Sequence, residues 1–445
     1  MSPCGKYKWR MGQQFVPYDQ DQGLLLPPSL HDWLPEGHLA RFVSETVEEL
    51  DLSGFLTKYR EREDGRGRIA YQPRMMLKLL VYSYCAGIFS SRKIAAGLIE
   101  LVPLRYLAAG NTPSHRTIAR FRQENHEQFE GLFAQVVRIA MEAGLVKMGT
   151  LAIDGTKLRA NASKHKSMSY ERMASEEVRL KEEIGKILDL AQKIDEAEDE
   201  ELGPDFRGDE LPEELQRRES RLKKIREAKA RLEEEQKQKD DESGHGRKGR
   251  AVKRPAGQPE GKKQANFTDP ESRIMGNRKV GFVQGYNGQT AVDGEANMIV
   301  AATITQSAVD QGQLIPVLEE AIKITGEQPE TVLADAGYRK EEDLLALEEL
   351  GIDAHVALGR GESTDAKNVN AGPATKRMHR KRQTKRSQKA YKRRKSIVEP
   401  PFGWLKSVMG FRGFSMRGLS KVTGEWNLAC MALNIKRMAL RMEWT

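Results

Sequence analysis

The sequence predicts a mixed α/β sheet flanked by helices, preceded by a helical region and interrupted by a charged helical hairpin. Three observations carry this. From Val280 onward, short apolar strands alternate with amphipathic helices. Residues 1–145 repeat apolar side chains at helical spacing. Residues 170–266 abandon the globular pattern for long charge-rich stretches. The expected organisation is therefore a helical domain over 1–145, an α/β core over 146–169 and 267–445, and an insertion over 170–266.

The N-terminal region begins extended, with Pro17, Pro27 and Pro28. Arg74–Tyr84 fills a helical face with apolar residues, and Arg92–Leu101 is a second short helix. Gly87 and Ser90–Ser91 between them mark a turn and an N-cap. Thr112 is expected to cap the next helix with Pro113 at its first position. Ile118 and Phe121 then face inward. Phe129, Leu132, Phe133, Val136, Val137 and Ile139 continue a buried stripe towards Gly144.

Lys147–Leu158 reads as a strand running into Asp154. After it come two charged helices, Glu171–Leu202 and Leu211–Glu242, joined near Gly203–Pro204. Leu211, Leu215, Leu222, Ile225 and Leu232 form a coiled-coil-like seam, expected to face Ile184, Ile187, Leu188, Ala191 and Ile194. Ser243–Asn266, rich in Gly, Lys and Arg, reads as a flexible link. The stretch from Val280 to Ser307 reads as two or three strands, with turns at Asn287–Gly288 and Asp293–Gly294. A helix over Gln311–Thr325, a strand over Thr331–Ala334, a helix over Lys340–Leu350 and a strand over Asp353–Leu358 follow. A basic segment then leads to a helical C-terminus from about Ile397.

Composition narrows the partners. Of 445 residues, 38% are hydrophobic and 31% charged, and 73 Lys and Arg against 64 Asp and Glu leave +9. The length suggests about two to four domains. Twelve of the twenty residues from Lys376 to Lys395 are Lys or Arg and none is acidic. Such a run repels itself unless a polyanion neutralises it, so nucleic acid is the natural partner. A solvated tail or an address signal is the alternative. Cys4, Cys85 and Cys430 lie far apart without a CxxC pair or a Cys/His cluster, which supports neither disulfide framework nor zinc site. A reduced, cytoplasmic setting is expected. No signal peptide is seen, and apolar stretches such as Met75–Tyr82 are too short to span a bilayer, so no membrane association is expected.

Three acids stand out: Asp154 after Leu-Ala-Ile, Asp335 after Val-Leu-Ala, and Glu399 in IVEPPFGWLK. Cutting a phosphodiester needs a nucleophilic water or hydroxyl, an electrophilic phosphorus and a stabilised leaving oxygen. Two Mg²⁺ ions about 4 Å apart provide all three, and carboxylates are the hard ligands that hold them. Each acid also has an ordinary reading: Asp154–Gly155 as a turn, Asp335 as a helix cap, Glu399 as a first-turn glutamate. Lys406 stands seven residues after Glu399, on the same expected helix face, where an ammonium would suit a phosphate. Asp293 and Asp310 compete, the first as a hairpin-turn residue and the second as an N-cap before QGQLIPVLEEA.

In this order, the motifs AIDGTK, VLADAGY and VEPPFGWLK resemble those of bacterial insertion-sequence transposases with an RNase H-like catalytic core. FVPYDQDQGLLLPPSLHDWLPEGHLARFV, YQPRMMLKLLVYSYCAGIFSSRKIA and TPSHRTIARFR resemble the N-terminal domain of the same group. The likeness implies metal ligation by Asp154, Asp335 and Glu399, with Mg²⁺ (or Mn²⁺) as cofactor. It also implies phosphate contacts around Glu399, where related enzymes carry Tyr-x2-Arg-x3-Glu-x6-Lys. Glu399 and Lys406 match its second half, while Tyr391 and Arg394 stand one position out of register, with Lys392 and Lys395 in their places.

On the helix after Pro113, Arg116, Arg120 and Gln123 share the face opposite Ile118 and Phe121. Arg can reach guanine and Gln adenine, so this face could read a terminal inverted repeat; an ordinary basic surface helix is the alternative. Arg60–Arg68 could add phosphate contacts, and Trp404, Phe411 and Phe414 are expected in the core. The expected partners are element ends and target DNA, with a homodimer joining both ends. A nuclease or resolvase without strand joining, and a DNA-binding regulator with an inactive core, are the rival functions.

Overall fold

Apolar spacing in the N-terminal region builds α1 (Leu39–Glu48), α2 (Pro73–Cys85), α3 (Ser91–Glu100), α4 (Val102–Leu107), α5 (His115–Glu124) and α6 (Gln128–Glu142). The computed structural model describes residues 29–55, 70–202, 213–243, 255–277, 281–359 and 372–442. The extended start, Arg60–Arg68, the Gly203–Pro204 joint, Leu211, Cys4 and the side chains of Ala191 and Ile194 lie outside the described residues. Ile118, Phe121 and the stripe from Phe129 to Val137 are buried as expected. The cap of α5 is not Thr112. Ser114 takes that place, its Oγ accepting the Thr117 N–H at 3.2 Å, while the Pro113 ring is buried ahead of the helix.

The sheet has the order β4-β5-β1-β7-β8, with β6 also paired to β5. Its strands are β1 (Thr150–Arg159), β4 (Arg273–Asn277), β5 (Gly281–Asp293), β6 (Ile299–Thr305), β7 (Thr331–Ala334) and β8 (Asp353–Val356). β1 runs antiparallel to β5 and parallel to β7, and β7 runs parallel to β8. The expected turn at Asn287–Gly288 is absent, and β5 passes straight through it. Packing overrides the turn signal here. Asn287 is buried and donates to the Asp310 carboxylate, and a Cβ on Gly288 would lie 3.1 Å from the Trp426 indole. The turn after Asp293 does form. Its carboxylate is buried and accepts the N–H groups of Met148 and Glu295, so it is structural.

The insertion is an antiparallel pair, α7 (Tyr170–Leu202) and α8 (Glu213–Ser243). Glu177 takes Arg226 and Lys229, and Glu183 takes Arg218, six residues further along α7 but eight or more back along α8. Leu215, Leu222, Ile225 and Leu232 are buried as the expected seam. Leu222, Ile225 and Leu232 cluster with Tyr170, Met173, Leu180 and Ile184; Leu188 is exposed. Part of the expected flexible link instead forms β3 (Gln264–Asn266), which pairs with β2 (Ser167–Ser169) and buries Ala265 against the hairpin.

α9 (Leu314–Thr325), α10 (Glu341–Glu349), α11 (Pro373–Arg382), α12 (Lys385–Gly403) and α13 (Leu419–Arg441) complete the fold, with a π-helical turn at Trp404–Val408 after α12. The basic run is therefore helical: it occupies α11 and most of α12, and the C-terminal helical region begins well before Ile397. α13 is buried along nearly its whole length between the N-terminal helices and the sheet, which share one hydrophobic core. Tyr84 of α2 donates to the buried Glu425 of α13 at 2.9 Å, and Arg122 of α5 reaches the same tyrosine oxygen at 3.1 Å. Among the described residues, no helix is long and apolar enough to cross a membrane.

Candidate active site

β1 and β7 lie side by side with Ile153 opposite Ala334, so the next residues, Asp154 and Asp335, emerge together. Asp154 is not at a strand end, as the sequence suggested. β1 continues for five more residues, and it is β7 that stops. Asp335 caps the short turn Ala336–Tyr338, with Oδ1 accepting the Gly337 N–H at 2.8 Å. Asp154 Oδ1 accepts the Gly155 N–H at 2.8 Å. Burial pushes the Asp154 carboxyl above the usual range; the Arg394 guanidinium pulls it back and the Asp335 charge pushes it further up.

Arg394 approaches from α12, which packs across β1, β7 and β8. Its Nη1 donates to Asp154 Oδ2 at 2.9 Å. Burial opposes its charge, but Asp154, Tyr391 and Asp335 together more than restore it. The Tyr391 ring lies 5.8 Å from this guanidinium and 4.0 Å from that of Arg382. Arg394 thus reaches Asp154, with Tyr391 beside it, although both stand one position out of the expected register, while Lys395 is exposed. Twelve residues after Arg394, Lys406 donates from Nζ to Thr156 Oγ1, on the strand face that also carries Asp154.

Glu399 lies between these two cations on the same chain segment. It is exposed, and the structure does not bring it to the aspartates: among the described residues no three Asp, Glu, His or Cys side chains converge closely enough to hold a metal. It is also not a first-turn residue, since it lies near the end of α12. The two prolines after it lie inside α12, ahead of the π-helical turn. Pro400 and Pro401 have no N–H for the carbonyls of Ser396 and Ile397. Asn297 Nδ2 takes both, at 3.0 and 3.1 Å.

A polar group beneath the aspartates escaped the sequence reading. Asp310 Oδ1 accepts from Asn287 Nδ2 at 2.7 Å and from Gln289 Nε2 at 2.8 Å, and Tyr338 donates its hydroxyl to Gln289. Asp310 is not the N-cap of α9; Gln313 is. The small residues beside the two aspartates make room for this group: a Cβ on Gly155 would lie 2.7 Å from Asp310 Oδ1, and one on Gly337 3.2 Å from Oδ2. The available signal was the pair Asn287 and Gln289, two amide side chains two positions apart and so on one face of β5.

Arg116, Arg120 and Gln123 are exposed on α5, which packs on α3 and α2, away from the sheet. Arg120 lies 4.0 Å from Glu124. Phe411 and Phe414 are buried and stack around Tyr286 and Trp426, with Trp404 half-buried beside them, so the three aromatic residues belong to the core.

No curated protein and no solved structure matches the chain. Two family models do. The Transposase DDE domain matches residues 259–435, which include Asp335 and Glu399, and the Transposase domain (DUF772) matches 28–124, which span α1 to α5. Asp154 falls between them, tied to the first by its place beside Asp335. With both matches in this order, and an aspartate pair under a basic helix, the chain belongs to the DDE transposases of insertion sequences.

Proposed function

We propose that this transposase binds the terminal inverted repeats of its own element, hydrolyses one strand at each end, and transfers the freed 3′-hydroxyl into target DNA. The observation that carries this reading is the emergence of Asp154 and Asp335 together where β7 leaves β1, beneath Arg394 and Lys406. The strand order β6-β5-β1-β7-β8, an antiparallel meander continued by two parallel strands, supports an RNase H-like core.

The aspartate pair fits a divalent cation: two hard oxygen donors side by side, one of them held against ionisation by burial and by its neighbour's charge. Asp154 and Asp335 would hold Mg²⁺, with Mn²⁺ able to replace it and Glu399 supplied from α12. When bound, such ions neutralise the scissile phosphate and lower the pKa of an attacking water. Arg394 and Lys406 would grip phosphates flanking the scissile one, and Tyr391 would fix the plane of Arg394. Thr156 would keep Lys406 aimed along β1.

On this reading residues 1–145 recognise the element end through Arg116, Arg120 and Gln123, whose exposure leaves them open to a groove. Residues 146–169 and 267–445 carry the chemistry, and 170–266 are an insertion. Joining two ends requires two copies, hence a homodimer, acting at the nucleoid in the cytoplasm.

The test is incubation of the protein with DNA carrying the flanks of its gene and Mg²⁺. Cleaved 3′ ends together with joined products are expected. Cleavage without joining would assign a nuclease or resolvase, and end binding without cleavage a regulator.

A further inference from the structure

Beyond Arg159, where β1 ends, two clefts open in series. The nearer, about 620 Å³, lies between the end of β1 and the loop before α13; the farther, about 690 Å³, lies at the base of the insertion hairpin. Lys166 lines both, so they form one path. Arg159, Arg412 and Arg417 border the nearer cleft, and Arg172, Arg221 and Lys224 the farther. No acid lines either one among the described residues, although the chain has 64 acids. Glu176, which does not line the cleft, pairs with Arg221 at 2.8 Å and lies within the field of Arg172. The farther cleft also has an apolar floor of Met168, Ile225 and Phe267 beneath this basic rim.

A basic rim over an apolar, aromatic floor suits one chemistry: an unpaired nucleic-acid strand, with phosphates on the rim and a base against the floor. β1 and the segment after Lys406 link the path to the aspartate pair. The five residues from Asp154 to Arg159 cover roughly 17 Å of β1, and Arg412, which borders the nearer cleft, donates to the backbone carbonyl of Lys406 at 3.0 Å. Arg412 and Phe414 are in turn hydrogen-bonded to the Arg159 backbone.

We propose that these clefts are a track for single-stranded DNA leaving the aspartate pair, and that the insertion hairpin forms its far wall. The track rests on the transposase reading. It gives the hairpin a role in the same copy that cuts: holding the displaced strand.

The test compares the full-length wild type with Lys166→Ala/Arg172→Ala/Lys224→Ala, in fluorescence anisotropy across a salt series. The probes are a labelled blunt duplex and the same duplex with a single-stranded tail. All three side chains are exposed, and circular dichroism checks folding. The triple variant should bind the tailed probe about tenfold or more weakly, with a salt slope shallower by roughly 2, because each lost single-strand phosphate contact removes about 0.7. Blunt-duplex binding should stay close to wild type, and Lys166→Arg/Lys224→Arg should bind the tailed probe normally. Unchanged affinity and slope on the tailed probe would overturn the track, as would equal losses on both probes; in either case wild-type DNA binding leaves the transposase reading standing. A wild type that binds neither probe would overturn both.

Discussion

Arg394 donates from Nη1 to Oδ2 of Asp154 over 2.9 Å, joining residues 240 positions apart in the chain. The contact is mostly shielded from water, with side-chain exposures of 12% and 23%. It places a fixed cation on a carboxylate that burial and Asp335 both hold against ionisation. In the protein alone, Arg394 therefore meets part of the demand for positive charge that a metal would otherwise meet.

Replacing it should expose that demand. Arg394→Gln should destabilise the metal-free protein by about 2–3 kcal/mol, somewhat less than for a fully buried pair. Thermal melting with and without Mg²⁺ checks this. The variant should recover more stability from Mg²⁺ than the wild type does. Equal losses in both conditions would mean that Arg394 and the metal do not serve the same carboxylate.

Asn297 holds the helix that carries Glu399 by taking the two carbonyls that Pro400 and Pro401 leave without partners. Asn297 sits at φ +55°, so Asn297→Gly removes the amide without adding left-handed strain. The loss should be about 1–3 kcal/mol, from partly buried carbonyls left unbonded. In a Pro400→Ala/Pro401→Ala background the backbone N–H groups return, and the same replacement should cost clearly less. Denaturant unfolding of the four proteins gives the coupling, and an unchanged cost in that background would reject the link.

His355 on β8 is buried against α12, with Nδ1 2.9 Å from Ser387 Oγ and Nε2 3.4 Å from Asp353. Burial holds its pKa below the ordinary 6.5; Asp353 opposes this, and Lys381 and Arg382 add to the lowering. A lowered base is neutral in the folded state while the unfolded chain can still take up a proton. Its contribution to stability is therefore present above pH 6.5 and is lost as pH falls below that value towards the folded pKa. His355→Asn should flatten this part of the stability profile. Chemical denaturation at a series of pH values reads it, and an unchanged slope in the variant would remove His355 as the cause.

Much of this architecture was legible in the sequence because local periodicity and tertiary packing agree there. The strand–hairpin–helix–strand–helix–strand order, the inward faces of α5 and α6, and the seam of α8 follow from apolar spacing. The failures come where a tertiary partner overrides a local signal. Asn287–Gly288 is a strong turn dipeptide, yet Trp426 and Asp310 keep it in a strand. Pro400–Pro401 should end or open a helix, yet Asn297 lets α12 continue through them into a π turn. The acids Asp154 and Asp335 were identifiable from their motifs, but their adjacency needed the parallel register of β1 and β7. Local sequence carries no information on a pairing across 181 positions. Asp310 was misjudged as a helix cap because its amide partners lie on another strand.

The most direct test of the account separates binding from chemistry at the three carboxylates. Asp154→Asn, Asp335→Asn and Glu399→Gln are compared with wild type on DNA carrying the flanks of the gene, at ordinary Mg²⁺, scoring end binding, cleaved 3′ ends and joined products in the same reactions. The account predicts end binding within about twofold of wild type for all three, with cleavage and joining reduced by at least roughly a thousandfold, as the loss of a metal-binding carboxylate should produce. Cleavage at the wild-type rate by any of the three variants would contradict it.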